Sequence, residues 1–288
     1  MGENSFNDPE MGEKNNKPLV SVCIPVYNGA DFIEFAINSV LEQDFSDYEV
    51  IIVDNKSTDN TLDIVRRYND SRIVIFQNDS NIGMVPNWNR CIAYASGEYI
   101  KLLPADDFLY PGCLRSETDV LTKDKQKKIS LVTARKNIIN SRGKVLFSRG
   151  YAKREVQVDG CAAINRIIRK GGGNLIGEAG VVMFRKEILL KTGPFNSELF
   201  YVLDIDLWFK MLTHGDLYVL PGVLGSFRIS ESSASITVVD TQKRDIVAFM
   251  GKIYGNKEFG LKRMNYKLGL LNVNILTFVK KILYKIIL

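Results

Sequence analysis

Histidine is nearly absent from this 288-residue sequence, and its cysteines are unpaired in sequence. The one histidine, His214, precedes Gly215 at the predicted end of a helix, where a capping or surface role is expected. A Ser–His–Asp hydrolase triad therefore has little support. No Cys-x-x-Cys pair points to a zinc or thiol redox site. The four cysteines stand far apart and are expected to be ordinary thiols: Cys23, Cys91, Cys113 and Cys161.

Two nucleotide-binding signatures and a secretory signal are also missing. The Gly-x-Gly-x-x-Gly fingerprint does not follow the first predicted strand, where residues 25–30 are Pro-Val-Tyr-Asn-Gly-Ala, so a nicotinamide enzyme is disfavoured. No loop ends in Gly-Lys-Ser/Thr, which argues against a P-loop nucleotidase. Residues 1–17 are polar and lack the apolar segment of a signal peptide. We therefore expect a mobile extension there and a cytoplasmic protein.

The net charge of the chain excludes few functions, but the distribution of charge argues against nucleic-acid binding. Lysine and arginine number 38 against 33 aspartate and glutamate residues, and the excess is spread along the chain. A nucleic-acid-binding protein would show a basic tract or stripe, so no nucleic acid partner is expected. The apolar, aromatic and charged fractions are those of a soluble globular protein.

Apolar runs and helical periodicities alternate over the first third of the chain. Buried-strand runs are predicted from Leu19, at Glu49–Asp54, near Ile73–Phe76 and at Tyr99–Leu103, with helices between them. This alternation predicts an α/β fold with a mostly parallel sheet and helices on both faces. The pattern weakens after residue 108, where a smaller mixed-sheet region is expected, with a strand near Ala179–Phe184 and strands on either side of Pro221-Gly222. We expect one domain over residues 18–236 and a helical region over residues 237–288.

Polar pairs follow three of the predicted strands: Tyr27-Asn28, Asp54-Asn55 and Asp106-Asp107. Ligands of open α/β sheets bind beyond the carboxyl ends of the strands, so one shared site is expected. Adjacent carboxylates such as Asp106 and Asp107 supply the hard oxygen ligands that Mg²⁺ or Mn²⁺ takes together with substrate phosphates. A solvated turn or a helix cap is the alternative interpretation of the acidic pair.

The motifs in this order closely resemble those of the family 2 inverting glycosyltransferases. They are Val-Ser-Val-Cys-Ile-Pro-Val-Tyr-Asn-Gly, Val-Asp-Asn-Lys-Ser-Thr-Asp-Asn-Thr, Asn81-Ile-Gly, Ser-Gly-Glu-Tyr-Ile and Pro-Ala-Asp-Asp. The resemblance covers residues 19–114 and continues more weakly to about residue 235. It implies the GT-A fold and a nucleotide diphosphate sugar, of which a UDP-sugar is expected, as donor.

The resemblance also implies roles for the residues at the strand ends. Pro25, Tyr27 and Asn28 would line the nucleotide pocket, and Asp54 would accept hydrogen bonds from the base or ribose. The donor would further contact Asn81, Arg90 and Asp106. Asp107 would be the main protein ligand of Mg²⁺ or Mn²⁺, shared with Asp106 and completed by the diphosphate and water. Relatives often carry a further Asp where Pro104 stands here.

A later segment, Val-Leu-Asp-Ile-Asp-Leu-Trp, resembles the family's catalytic motif and places Asp204 at the base position, with Leu203 replacing the usual Glu. A helix N-cap is the alternative for Asp204. Gly177 and Glu178 match an acceptor-side loop, and Glu178 is a rival base. Trp208 is expected either in the core or near the acceptor. Ser230 replaces the His of an Arg-x-His motif, which weakens any metal ligand there.

The C-terminus predicts an amphipathic helix. Its apolar face comprises Ile275, Leu276, Val279, Ile282, Leu283, Ile286 and Ile287, and its polar face comprises Thr277, Lys281, Tyr284 and Lys285. Its lysines interrupt the helix too often for a membrane span. We expect this helix either to lie in the cytoplasmic membrane interface or to pack on the protein, on the catalytic domain or in a homodimer.

The expected function is transfer of a sugar to an acceptor hydroxyl, on a sugar or a lipid-linked sugar, in cell-surface polysaccharide or glycolipid synthesis. A catalytically inactive nucleotide-sugar-binding or scaffold protein is the alternative, and the missing Glu and His favour it. A metal-dependent phosphohydrolase built on the acidic pair is a third hypothesis. An Asp204→Asn variant separates transfer from the other two.

Overall fold

A nine-stranded sheet runs through the computed structural model, which describes residues 17–199, 201–229 and 239–287. The strands are β1 (Val20–Val26), β2 (Tyr48–Asp54), β3 (Ile73–Gln77), β4 (Tyr99–Leu102), β5 (Ile129–Ile139), β6 (Val145–Arg149), β7 (Val156–Val158), β8 (Val182–Arg185) and β9 (Asp216–Arg228). The helices are α1 (Ile33–Leu41), α2 (Thr61–Val65), α3 (Met84–Ala93), α4 (Cys113–Lys123), α5 (Gly160–Arg169), α6 (Lys186–Thr192), α7 (Leu203–Leu212), α8 (Val239–Gly255) and α9 (Arg263–Ile287). Ser230 and most of the predicted N-terminal extension lie outside the described residues.

The first four strands form the parallel half of the sheet in the order β3-β2-β1-β4. Every residue of β1, β2 and β4 is buried, as expected of strands covered by helices on both faces. Alternate residues of these strands enter two separate apolar cores, so that Val50 and Ile52 face one layer of helices while Ile51 and Val53 face the other.

The second half of the same sheet is mixed. β8 lies antiparallel between β4 and β5, β9 runs parallel to β5, and β6 and β7 add antiparallel edges. The predicted α/β fold, with its parallel sheet and smaller mixed region, is confirmed. His214 is exposed just after α7, as predicted.

Two boundaries in this half were predicted wrongly. A break at Pro221-Gly222 was expected, but β9 continues through it, because both residues are exposed where the pairing with β5 is irregular. A proline without an N–H group is tolerated at such a bulge. The strand expected from Ala179 begins only at Val182, because residues Ala179–Val181 form a 3₁₀ turn.

The C-terminal helices pack onto the sheet's helical layer. Phe249, Met250 and Ile253 of α8 are buried in the same core as α5 and α7, and Tyr266 and Leu270 of α9 pack against that core. Asn272 Nδ2 also donates to the backbone oxygen of Arg169, 2.7 Å away, at the end of α5. The boundary at residue 236 stays a prediction, since this packing joins the helical region to the core.

Candidate active site

Loops after β1 and β2 are fastened to each other at the carboxyl edge of the sheet. The backbone N–H of Asn28 donates to Ser57 Oγ over 2.9 Å, and the Asn28 side-chain oxygen accepts from the backbone N–H of Thr58 over 2.8 Å. Asn28 adopts a positive φ of 50° to do so, which asparagine tolerates better than most residues. Asn28, predicted to line the nucleotide pocket, thus also anchors the loop.

Asp54 is fully buried at the end of β2 and already has protein partners. Its carboxylate accepts the backbone N–H of Ser57 at 3.1 Å and the side-chain amide of Gln77 at 2.9 Å. A carboxylate offers about four lone-pair positions, so Asp54 can accept further hydrogen bonds from a ligand while these two hold its orientation.

An asparagine network that the sequence analysis missed lies beside Asp54. Asn55 donates to the Asn81 side-chain oxygen at 2.8 Å, and Asn78 donates to the Asn55 side-chain oxygen at 2.8 Å. Asn78 also donates to Asn87 of α3 at 2.8 Å. The sequence does contain a signal for this network, because three asparagines follow the ends of β2 and β3 and a fourth lies on α3. The network fixes the exposed Asn81 loop against the sheet edge.

The other predicted nucleotide contacts sit at this edge in different surroundings. Pro25 is buried within β1, opposite Val53, whereas Tyr27 is 47% exposed and presents its ring to solvent. Arg90 lies on α3, where its Nε donates to the Tyr94 hydroxyl at 3.1 Å. The structure therefore brings Tyr27 and Asp54 to one edge, and the role of Arg90 stays a prediction.

The acidic pair follows β4 in a tight turn, and its two side chains differ in exposure. Asp106 is exposed, whereas Asp107 is 2% exposed. Asp107 Oδ1 accepts the backbone N–H of Arg228 at 2.8 Å, so the end of β9 holds this carboxylate in place. Burial raises the pKa of Asp107 well above its usual range, and the nearby charges of Asp106 and Glu178 raise it further.

These carboxylates suit a divalent cation shared with a ligand better than a closed protein cage. Within residues 17–199, 201–229 and 239–287, no three His, Cys, Asp or Glu side chains are grouped to hold a metal. Mg²⁺ is commonly bound by one or two carboxylates plus substrate phosphates and water. A cation would also compensate the buried charge of Asp107, so Asp106 and Asp107 fit the predicted role.

Arg228, at the end of β9, connects the acidic turn to two other loops. Its Nε donates to the backbone oxygen of Asp106 at 2.8 Å, and its Nη1 donates to those of Asn140 and Ser141 at 3.1 and 2.9 Å. Its guanidinium lies 4.3 Å from the ring centre of Phe32, before α1. In this segment only Ser230 was discussed as a site position, and a role for Arg228 was not predicted.

The predicted acceptor-side loop, residues 174–178, is held between β5 and α7. Asn174 exchanges two 2.9 Å hydrogen bonds with the backbone of Gly177. Gly177 has a φ of +137°, and a Cβ on it would lie only 2.4 Å from Val181 Cγ2, so no larger residue fits there. Thr133 Oγ1 of β5 donates to the Ile176 oxygen at 2.6 Å. The indole N–H of Trp208 donates to the Gly177 oxygen at 2.9 Å.

Trp208 is fully buried beside Phe184 and Phe195. Of the two positions considered for it, the structure shows the core one, and Trp208 reaches the acceptor-side loop only through its indole N–H. Its effect on an acceptor would therefore be transmitted by Gly177.

Asp204 lies in the first turn of α7, one residue inside the helix, and Val202 occupies the N-cap position. The N-cap alternative for Asp204 is therefore wrong. Its Oδ1 is buried and has no hydrogen-bond partner among the described residues. Burial raises the pKa of Asp204 to about 7, Glu178 contributes to the rise, and Lys136 opposes it. A carboxylate with such a pKa is a suitable proton acceptor near neutral pH.

Lys136 of β5 is a site residue that the sequence analysis missed. It is 1% exposed and forms an ion pair with Glu178 Oε2. No signal in the sequence distinguishes it from the many exposed lysines. The charge of Glu178 acts on both Asp107 of the acidic pair and Asp204.

A protein-family model described as glycosyl transferase family 2 matches residues 21–189. Among curated proteins, the chain is 28% identical over 228 residues to the Escherichia coli UDP-Glc:alpha-D-GlcNAc-diphosphoundecaprenol beta-1,3-glucosyltransferase WfgD, covering 78% of this chain and 83% of that protein.

Solved structures with this fold include two bound to nucleotide sugars. One is S. aureus TarS 1–349 in complex with UDP-GlcNAc, with a TM-score of 0.68 and 20% identity over 88% of this chain and 71% of that one. Another is the mannosyltransferase PcManGT from Pyrobaculum calidifontis with GDP-Man and Mn²⁺, with a TM-score of 0.62 and 20% identity over 89% of this chain and 69% of that one. These similarities confirm the predicted GT-A fold.

Proposed function

We propose that this chain, which belongs to glycosyl transferase family 2, is an inverting hexosyltransferase that moves a sugar from a UDP-sugar to an acceptor hydroxyl. The observation that carries the proposal is the position of Glu178. Its charge acts on both Asp107 and Asp204, so the carboxylate suited to a diphosphate-bound metal and the carboxylate suited to a base share one site. Such an arrangement serves a reaction in which a diphosphate leaves while a hydroxyl loses its proton.

The donor would bind along the carboxyl edge of β1, β2 and β4. Tyr27 would lie against the base, Asp54 would accept a hydrogen bond from the base or ribose, and Asp106 would face the ribose. Further contacts are proposed for Pro25, Asn28, Asn81 and Arg90. The fixed partners of Asp54 and Asn28 support this arrangement, because groups already held in place lose little freedom on binding.

Asp107, with Asp106, would hold Mg²⁺ or Mn²⁺ against the donor diphosphate. When bound, the cation neutralises negative charge that develops on the departing diphosphate. The structure of PcManGT with GDP-Man and Mn²⁺ supports a divalent cation in this fold.

Asp204 would accept the proton of the acceptor hydroxyl while its oxygen attacks the anomeric carbon. A positioned base of this kind typically contributes ~10²–10⁴-fold to the rate. Gly177 and Glu178 would border the acceptor. Direct displacement by that hydroxyl inverts the anomeric centre.

Asp204→Asn and Glu178→Gln, assayed side by side, test the assignment of the base. We expect Asp204→Asn to lose transfer by ~10²-fold or more while retaining donor affinity, and Glu178→Gln to lose far less, because the base itself remains. NMR of the product should show an anomeric configuration opposite to that of the donor. Loss of transfer in Glu178→Gln together with its retention in Asp204→Asn would reverse the assignment, and a retained configuration would contradict direct displacement.

The acceptor is proposed to be a sugar or lipid-linked sugar in polysaccharide or glycolipid synthesis. The name of WfgD, whose acceptor is attached to diphosphoundecaprenol, supports a lipid-linked acceptor. No helix among the described residues is long and apolar enough to cross a bilayer.

We further propose that α9 binds the cytoplasmic face of a membrane peripherally. Five of its exposed apolar residues recur at intervals of three and four and so form one stripe: Met264, Leu268, Leu271, Ile275 and Phe278. Leu276 is exposed as well. Thr277, predicted on the polar side, is buried instead. Residues 263–287 contain five Lys or Arg and no Asp or Glu, which favours an anionic lipid surface over a second copy, since two such helices would repel. Side chains from residue 279 onward lie outside those described.

A further inference from the structure

A lysine buried inside the protein is unusual, and Lys136 is 1% exposed. Lysine is almost never buried completely unless its charge is paired. Its partner here is Glu178, whose side chain is 21% exposed and therefore reaches towards the site. Lys101 is the comparable case elsewhere in the sheet, where its Nζ lies 2.7 Å from Glu117 Oε2 in the opposite apolar layer.

An irregularity in β5 points Lys136 towards the acceptor-side loop. Residues three apart on a regular strand face opposite sides of the sheet. The pairing of β5 with β9 shifts twice between Thr133 and Lys136, and both side chains reach the same place. A Cβ on Gly177 would lie 3.6 Å from Thr133 Oγ1 and 3.6 Å from Lys136 Nζ.

The loop that carries Glu178 is fixed to the helix that carries Asp204. Trp208 stands one helical turn after Asp204 on α7 and donates its indole N–H to the Gly177 oxygen. Glu178 directly follows Gly177, so Trp208 ties the Lys136–Glu178 ion pair to the helix that carries Asp204. The side chain that makes this tie is fully buried.

The charged groups around Asp204 act in opposite directions. Glu178 raises the pKa of Asp204 and Lys136 lowers it. On its own helix, Asp206 is paired with Lys210 at 2.5 Å, and Asp107 is a second carboxyl group whose pKa the charge of Glu178 raises. The pair from β5 and the acceptor-side loop is thus the main source of charge facing Asp204.

We propose that Lys136 and Glu178 are positioning residues that together set the proton affinity of the base Asp204. This rests on the proposed function, in which Asp204 accepts the acceptor proton. Glu178 makes Asp204 a stronger proton acceptor, while Lys136 favours the ionised form of Asp204. The deprotonated fraction of the base, and with it the acid limb of the pH–rate profile, is then determined by a pair that need not touch the reacting atoms.

Two single substitutions must move the titration of Asp204 in opposite directions. Lys136→Met removes the positive charge and should raise its midpoint by ~1 pH unit or more, whereas Glu178→Gln removes the negative charge and should lower it by a similar amount. Lys136→Arg keeps the charge and should restore the wild-type midpoint. The double variant Lys136→Met/Glu178→Gln removes both charges of the pair and leaves neither partner unpaired, so it should fold and titrate between the two single variants.

The midpoint is measured by carbon-13 NMR of aspartate-labelled full-length protein, with the Asp204 signal assigned by its loss in Asp204→Asn. The pH profile of kcat/KM gives the same midpoint independently. Lys101→Met and Glu117→Gln are the matched controls, because they disrupt another buried Lys–Glu pair. They should lower stability and leave the Asp204 midpoint unchanged.

Opposite shifts in the NMR titration and in the pH profile support the proposal. Shifts in the same direction, no shift, or equal shifts in the Lys101 and Glu117 controls would overturn it. The NMR measurement requires no turnover, so it separates this proposal from the proposed function. If the Asp204 midpoint shifts in opposite directions in a protein that transfers no sugar, the proposal for Lys136 and Glu178 is supported and the assigned reaction is refuted.

Discussion

Replacing the base with its neutral isostere should stabilise the folded protein at alkaline pH. Asp204 Oδ1 is buried without a hydrogen-bond partner, and the pKa of Asp204 rises from 3.8 to about 7 on folding. Because the folded state holds this proton more tightly than the unfolded state, ionisation costs stability as pH rises from about 4 to about 7. Above pH 7 the full penalty is present, and Asp204→Asn removes it.

The size of the effect follows from the difference in pKa. At ~1.4 kcal/mol for each pKa unit, the rise to about 7 corresponds to roughly 4 kcal/mol. The asparagine amide would itself lack partners, so we expect a net gain of ~2–4 kcal/mol at pH 8.5. For a protein of this length that gain corresponds to a rise in Tm of roughly 3–7 °C.

Urea denaturation of wild type and Asp204→Asn at pH 5 and pH 8.5 measures this gain. The gain at pH 5 should be less than half of that at pH 8.5, because Asp204 is still protonated in the folded state at pH 5. Asp206→Asn on the same helix is the control and should lower stability, since Asp206 pairs with Lys210. An equal gain at both pH values, or a loss of stability in Asp204→Asn at pH 8.5, would refute the reasoning.

Three further substitutions test other parts of the site and α9. Arg228→Met should cost ~2–4 kcal/mol of stability and weaken metal-dependent donor binding, because three backbone oxygens lose their hydrogen-bond donor. Unchanged stability in urea denaturation and unchanged donor affinity in calorimetry would contradict this. Trp208→Phe keeps the buried ring but loses the bond to Gly177, so transfer should fall with donor affinity intact, and equal loss of both would argue against the loop's acceptor role. Leu271→Glu/Phe278→Glu should weaken binding to anionic vesicles ~10-fold or more without affecting transfer to a soluble acceptor. If the double variant instead changes only the oligomeric state seen in sedimentation, this face of α9 is a dimer contact.

The parallel half of the sheet was predictable because its strands are apolar on both faces and its helices are strongly periodic. The strand-end positions of Asp54 and Asp107 followed from that pattern alone. The roles of these residues came from the resemblance to family 2, and the site roles remain predictions.

The mixed half was harder to predict because pairing between distant strands determines it. Pro221 marks a break in most strands, but here it sits at an exposed irregularity of β9, which no local pattern shows. Lys136 and Arg228 were missed as site residues for a similar reason. The role of Lys136 depends on an irregularity in β5, and that of Arg228 depends on loops that are distant in sequence. In the sequence they are only one lysine and one arginine among many.

The most direct test of the account is calorimetric donor binding across UDP-, GDP-, dTDP- and CMP-sugars, with Mn²⁺ and with chelator, for wild type and Asp107→Asn. Asn preserves the size of the side chain and removes the charge, so any loss of binding reports on the cation site. The account predicts that one UDP-sugar binds with Mn²⁺, and that chelator or Asp107→Asn weakens this binding by ~10-fold or more. Absence of binding by every nucleotide sugar under both conditions would contradict the transferase assignment, and equal affinity with and without the cation would contradict the metal site.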